Sequence, residues 1–192
     1  MQNQPKEPRN GWMKQSIFIA AVFAGLSIAR TGAAQPPTDK GDHVVTGGDL
    51  AFMNDAAPGG LAEVLLGQLA AKRAASGDVR QFAQEMIADH SKAGEKLTQL
   101  AEQKKVVLPA KVLPKAKQTA EELSKLQGDD FDRAYVKAMV EVHEKDVAAF
   151  EAVAENATDA DVKAFAAETA PTLRHHLQMV RDLAKGMNLS VK

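Results

Sequence analysis

The sequence predicts an all-α protein built on four long helices. Three observations carry that expectation. Apolar residues recur at helical spacing in four extended segments. No segment alternates at period two for long enough to form a strand. Aromatic residues make up only 5% of the chain, and the many alanines between them suit close-packed helices.

The first helical pattern runs from about Asp49 to Ala75, with Leu61, Val64, Leu65 and Leu69 expected on its buried face. The second opens at SGDV, where Ser76 can cap and Asp78 sits at the positive end of the helix, and continues to about Lys104. Pro109 and Pro114 then break the chain, and a short helix from about Lys115 to Leu126 follows. The third long helix opens at GDDFD, with Asp129 or Asp130 as the expected cap, and ends near Asn156. The fourth opens at TDAD, where Thr158 and Asp161 resemble a capping box with Asp in place of Glu. It runs to about Lys185, with Gly186 as its stop. Pro171 lies inside this last pattern; it cannot donate to the Ala167 carbonyl and is expected to kink or interrupt the helix.

Two internal matches accompany this layout. Phe82, Met86, Ile87 and His90 repeat in spacing as Tyr135, Met139, Val140 and His143. Separately, DVRQFA (Asp78 to Ala83) matches DVKAFA (Asp161 to Ala166). The first match carries more weight here, because the second can arise from shared helix-start chemistry alone.

Upstream of the helices the chain reads as an export leader. Lys6, Arg9 and Lys14 precede the apolar run Ile17 to Ala29, and the small residues of TGAAQPP follow. That order is a secretory signal, expected to be cut after Ala34. The run is shorter than the roughly 20 apolar residues a membrane span needs, so a retained anchor is the lesser reading. Residues 35–48, rich in Pro, Gly and polar side chains, read as a flexible tether carrying an exposed His43. The expected organisation is a signal peptide over 1–34, a tether over 35–48, a bundle over 49–186 and a tail over 187–192.

Composition narrows the function classes. The net charge is −1, and loss of Lys6, Arg9, Lys14 and Arg30 with Glu7 makes the mature chain mildly acidic. No basic motif points to nucleic acid. The chain has no cysteine, which excludes disulfides, thiolate metal sites, covalent c-type haem and a lipoprotein anchor. There is no GxSxG, Gly-rich phosphate loop or HExxH. Lys104, Lys105, Lys111, Lys115 and Lys117 around the proline connection read as a solvated loop.

Histidines remain. His90 continues the stripe Phe82, Met86, Ala93 and Leu97. His143 falls in register with Met139, Val140, Val147 and Phe150, and His176 with Phe165, Thr169, Thr172 and Val180. His175 is turned about 100° away from its neighbour. In a four-helix bundle such side chains converge, and that is where these folds build metal and cofactor sites. Glu63 can add a carboxylate from the first helix, or face water. Imidazole with Glu63 suits iron or zinc; imidazole with the thioethers of Met86, Met139 or Met179 suits copper. The competing reading packs each ring in the core, bonded to acceptors such as Asp89, Asp146 or Glu141, with the methionines filling gaps.

The blocks FAQEMIADHSKAGEKL, GDDFDRAYVKAMVEVHEKDVAAFE and APTLRHHLQM resemble a family of exported bacterial proteins, domain-of-unknown-function family 4142, often labelled outer-membrane proteins. The resemblance spans roughly Leu50 to Leu183. It implies a ferritin-like antiparallel four-helix bundle, with the short helix in the crossover between the second and third long helices, and a periplasmic home. It implies no reaction. Asp89, His90, His143, His176, Glu63 and Pro171 stand at family-like positions, while Val142 departs where an acid would repeat Asp89. Ferritin-like di-iron enzymes carry Glu-x-x-His. Here the residues three before each histidine are Lys40, Ile87, Val140, Thr172 and Leu173, so no oxidase or ferroxidase activity is carried over. The expectation is an exported bundle without catalysis that binds a metal through His90, His143 and His176, with Glu63 and Asp89. The alternative is an envelope structural or interaction protein whose histidines only pack.

Overall fold

Two helical hairpins joined by one long crossover account for the architecture. The computed structural model describes residues 45–190; the leader, most of the tether and His43 lie outside the described residues. The helices are α1 (Gly47–Arg73), α2 (Gly77–Gln103), α3 (Pro114–Ser124), α4 (Gly128–Asn156) and α5 (Ala160–Gly186), with no strand among the described residues. Short turns make α1/α2 and α4/α5 antiparallel neighbours.

Side-chain bonds at the two ends fix the remaining directions. At one end, Asp132 near the start of α4 accepts from Ala75 N (3.0 Å) and Ser76 N (2.7 Å) in the α1–α2 turn. At the other, Asp49 near the start of α1 accepts from Thr158 N (3.0 Å), Thr158 Oγ1 (2.7 Å) and Asp159 N (2.8 Å) in the α4–α5 turn. Lys104, just past α2, pairs with Asp159 and Asp161 at the start of α5, 2.7 Å from each. Thus α2 and α4 run the same way, and the segment carrying Pro109 and α3 returns the chain along the bundle. One such crossover is the ferritin-like connection.

Several local expectations change. The α1 core face is Met53, Glu63, Leu66, Gly67 and Ala70; Leu61 is exposed and Val64, Leu65 and Leu69 are only partly buried. The inward face of α1 holds a carboxylate and small residues, so counting apolar residues rotates the face away from its true position. Glu63 accordingly does not face water. The α4 cap is neither Asp129 nor Asp130: Gln127 occupies that position without a side-chain bond. On α5 the cap is Asp159, whose carboxylate accepts from Asp161 N and Val162 N, both at 3.0 Å. Thr158 is free for this reason to bond Asp49. Helix α5 continues through Pro171 without interruption. Gly186 is its last residue, and the left-handed position is Asn188 (φ 53°). Helix α1 begins at Gly47, two residues earlier than expected.

The core has two apolar clusters. One gathers Leu66, Phe82, Met86, Phe131, Tyr135, Met139 and Val180 near the α1–α2 turn. The other gathers Val45, Phe52, Met53, Leu97, Val162 and Phe165 near the α4–α5 turn. Along every long helix, one buried ionisable residue stands between its contributions to the two. These are Glu63, His90, His143 and His176.

Candidate metal centre

Each of the four long helices delivers one of these side chains to the middle of the bundle. His90, His143 and His176 are 6%, 0% and 0% exposed, and Glu63 is 5% exposed. Ring centroids are 5.7 Å apart for His90 and His143, 5.3 Å for His90 and His176, and 5.6 Å for His143 and His176. One nitrogen from each ring lies within 4.8 Å of the others.

The hydrogen bonds treat the three rings alike. His90 Nδ1 is 2.9 Å from Glu63 Oε2. His143 Nδ1 donates to the Met139 carbonyl at 3.0 Å. His176 Nε2 is 3.0 Å from Asp89 Oδ2. A carboxylate or carbonyl can only accept, so each of these nitrogens carries a proton, and in a neutral ring the other is left with its lone pair. The remaining nitrogens, His90 Nε2, His143 Nε2 and His176 Nδ1, are buried without a hydrogen-bond partner among the described residues, as is Glu63 Oε1. His143 Nε2 approaches Glu63 Oε1 only to 3.6 Å, too far for a hydrogen bond. Buried polar atoms without partners are costly, and four in one place call for an explanation.

Charge within the cluster is unevenly held. Burial pushes His143 down to about 4, against the pull of Glu63. His176 is lowered by burial and by the His90 charge, which outweigh its bond to Asp89. Burial also opposes charge on His90, but the Glu63 carboxylate, by charge and hydrogen bond, holds it above its ordinary value. For Glu63, burial works upward while His90 and then His143 draw it below the usual carboxylate range. His143 and His176 are therefore neutral near neutral pH, the form that binds a metal.

Of the residues singled out in the sequence, Glu63, His90, His143 and His176 meet directly. Asp89 stands outside them, half-exposed, orienting His176. That is the outer-shell role in which a carboxylate fixes the tautomer of a ring. Met86 and Met139 lie fully buried in the apolar cluster, and His175 is exposed. Two residues carry more than the sequence suggested. Asp146, considered only as a hydrogen-bond acceptor for a packed histidine, sits beside Glu63, and burial together with that carboxylate pushes it up to about 8. Tyr135 is fully buried with an unpartnered hydroxyl, its ionisation disfavoured by burial and then by Glu63. Its position four residues before Met139 marked it as core, and no spacing signal distinguished the hydroxyl.

A search of curated proteins gives no match. Solved structures do. A DUF305 protein from Streptomyces coelicolor aligns with a TM-score of 0.64 at 16% identity, covering 75% of this chain and 94% of its own. A DUF305 fragment from Deinococcus radiodurans gives 0.63 at 14% identity over 72% and 95%. CopM in its Cu(II)-bound form gives 0.62 at 15% identity over 72% and 97%. At these identities the likeness is one of fold. The sequence itself is matched by the model of a domain of unknown function, DUF4142, over residues 34–183, and the chain belongs to that family.

Proposed function

We propose that this protein is an exported bundle that binds a divalent first-row metal through His90, His143 and His176, with Glu63 as a further ligand. One observation carries the reading: each ring has one nitrogen tied to an acceptor and the other buried and bare, and the three rings bring one nitrogen each within 4.8 Å of the others. Packing alone would satisfy both nitrogens or leave orphans scattered. Three imidazoles and a carboxylate suit zinc, copper(II) or iron(II). The similar fold of a copper-bound protein is consistent with this reading. Asp89 and the Met139 carbonyl would act behind the ligands, setting ring orientation. The bound ion would supply Lewis acidity; no residue here is assigned a reaction.

Metal should stabilise the fold by RT ln(1 + [L]/Kd). Melting curves with zinc, copper and iron should rise for the wild type and for His43→Ala, and lose that rise in His90→Ala, His143→Ala and His176→Ala. A wild-type melting temperature indifferent to all three ions would leave the histidines as core residues of an envelope structural protein.

The leader over 1–34, the tether over 35–48 and the tail over 187–192 complete the proposed organisation. The family match begins at residue 34, beside the proposed cleavage point. The Streptomyces coelicolor relative is itself provisionally described as secreted. Among the described residues no helix is long and apolar enough to cross a membrane. N-terminal sequencing of protein from the periplasm should begin near Gln35; retention of Trp12 would refute the cleavage.

A further inference from the structure

The crossover between α2 and α4 has two unlike faces. Val106 and Leu108 turn inward, against the apolar cluster and over a cavity of about 820 Å³ that extends to Glu63, His90 and Asp146. The cavity is open at Gly59, Gly60 and Gly94, where a Cβ would meet nothing within 4 Å. Val107, between the two inward residues, is 93% exposed. The alternation persists further on. Val112 is partly buried, while Lys111 and Leu113 on either side of it are exposed, Leu113 by 54%. Side chains two apart on an extended chain share a face. Val107, Lys111 and Leu113 therefore make one outward row, and Lys115 and Lys117 follow, exposed, in the first turn of α3.

Residues 103–120 hold Lys104, Lys105, Lys111, Lys115 and Lys117 and no acid, although elsewhere among the described residues acids outnumber bases. Lys104 is paired with Asp159 and Asp161. Lys111, Lys115 and Lys117 make no ion pair among the described residues. The acids nearest in the fold lie on other surfaces: Asp55, Glu95 and Glu102 border the cavity that the inward face covers. A lone exposed apolar residue is ordinary, and so is a basic loop. Exposed valine and leucine interleaved with unpaired lysines fit a surface that offers hydrocarbon and negative charge together. The interface of an anionic lipid bilayer does so. An acidic polysaccharide gives Val107 and Leu113 nothing to bury against, and a stable protein interface needs a larger apolar core than two side chains supply.

We propose that the crossover docks this protein on an anionic phospholipid bilayer, with Val107 and Leu113 entering the headgroup region and Lys111, Lys115 and Lys117 facing the lipid phosphates. The contact is peripheral. Two apolar side chains and a few charges give reversible binding that salt weakens. It requires neither the metal centre nor the cavity.

The test sediments protein recovered after export with vesicles of phosphatidylcholine, with and without phosphatidylglycerol, at low and high salt. Binding should require phosphatidylglycerol and fall as salt rises. Lys111→Gln with Lys115→Gln and Lys117→Gln should weaken it roughly a hundredfold, since each lysine near an anionic surface is worth about fivefold. Lys92→Gln with Lys137→Gln and Lys185→Gln removes the same charge from exposed positions on α2, α4 and α5 and should weaken it by no more than about fivefold. Val107→Ser with Leu113→Ser should weaken it about tenfold. None of these sets should lower the melting temperature, because the side chains replaced are exposed. The chain has no cysteine, so Val107→Cys accepts a single polarity-sensitive dye. Its emission should move to the blue on the anionic vesicles, and the same dye at Gln178→Cys on α5 should not respond. No binding, equal binding to both kinds of vesicle, or crossover lysine variants that bind like the wild type overturns the proposal. Loss in the lysine variants alone, with Val107→Ser and Leu113→Ser neutral and the dye silent, also overturns it and makes the segment a general polyanion site, which heparin binding would share.

Discussion

The two hairpins, α1–α2 and α4–α5, are built alike at their ends and differ in their middles. A single residue offset, the one that carries Asp49 to Asp132, superposes their devices. It takes the cap Ser76 to the cap Asp159, and the turn residue Ala74 (φ −58°, ψ 137°) to Ala157 (φ −58°, ψ 140°). It takes Lys105 (φ 58°) to Asn188 (φ 53°), the left-handed residues that follow α2 and α5. It takes the bond from Val106 N to Ala101 O at 2.8 Å to that from Leu189 N to Ala184 O at 2.9 Å. Each hairpin's turn is clamped by an aspartate from the other's first helix. In the middle the offset still pairs the acids Glu63 and Asp146, but the equivalence breaks at the histidines. Gly60 and Ala93 stand where the second hairpin has His143 and His176, and Leu173 stands where the first has His90. The small residues of one hairpin open the cavity, and the imidazoles of the other fill the matching volume. Duplicated ends hold the fold, and the unmatched middle makes the site.

The largest effect that sharpens this contrast comes from Phe82 and Phe165, which occupy equivalent positions in the two hairpins. Phe82 is 1% exposed and packed against Tyr135, His143 and His176. Phe165 is 7% exposed and borders the cavity. Phe82→Ala should cost about 3–5 kcal/mol. Phe165→Ala should cost less, at or below about 3 kcal/mol, because part of its ring already lacks neighbours to lose. Urea unfolding of both variants checks this, and an equal or reversed order would mean that the two middles are packed alike.

Next in size are the caps. Ser76 Oγ accepts from Asp78 N at 3.2 Å and Val79 N at 3.5 Å, whereas the charged Asp159 accepts its two amides at 3.0 Å and also pairs with Lys104. Ser76→Ala should cost about 1 kcal/mol and Asp159→Ala up to about 2 kcal/mol near neutral pH. The charges of Lys104 and the helix amides overcome burial and hold the Asp159 carboxyl below its ordinary value of 3.8. A lowered folded value means that its stabilisation is complete above the unfolded value and disappears as pH falls through the folded one. The excess cost of Asp159→Ala should therefore shrink in acid, while the cost of Ser76→Ala stays level. Unfolding midpoints taken from neutral pH downward would expose the opposite trend if the carboxylate were not the cause.

How much of this was legible beforehand depended on which signal each part leaves. Helix number and order follow from periodicity, which the long apolar stripes of α2, α4 and α5 display. DVRQFA and DVKAFA were the visible trace of the hairpin repeat, and the cap chemistry that made the match look incidental is the repeated device itself. The match of Phe82 to His90 with Tyr135 to His143 relates α2 to α4, which the fold does not treat as equivalent. The histidines were conspicuous because a polar ring interrupts an apolar stripe. Asp146 was not, since its effect depends on Glu63 across the bundle, a distance no local pattern contains. The cavity was hidden too, because small residues on a helix read equally as close packing or as open space.

That last ambiguity sets up the smallest effect, and it has opposite signs at two glycines of α1. A Cβ at Gly60 would meet nothing within 4 Å, whereas at Gly67 it would lie 3.0 Å from Ile87 Cγ1 and 3.1 Å from the Ala83 carbonyl oxygen. Both positions are mid-helix, so alanine removes the same unfolded-state freedom and gains about 0.5–1 kcal/mol in either place. At Gly60 nothing opposes that gain. At Gly67 the backbone of α2 is in the way, and α1 must draw back by a few tenths of an ångström from its closest approach. Gly60→Ala should therefore raise stability by about 0.5–1 kcal/mol, and Gly67→Ala should lower it, with strain of about 1–3 kcal/mol exceeding the gain. Thermal melts of the two variants side by side decide it. A loss at Gly60 would mean the chamber is closed in solution, and a gain at Gly67 would mean the hairpin is looser there than its contacts require.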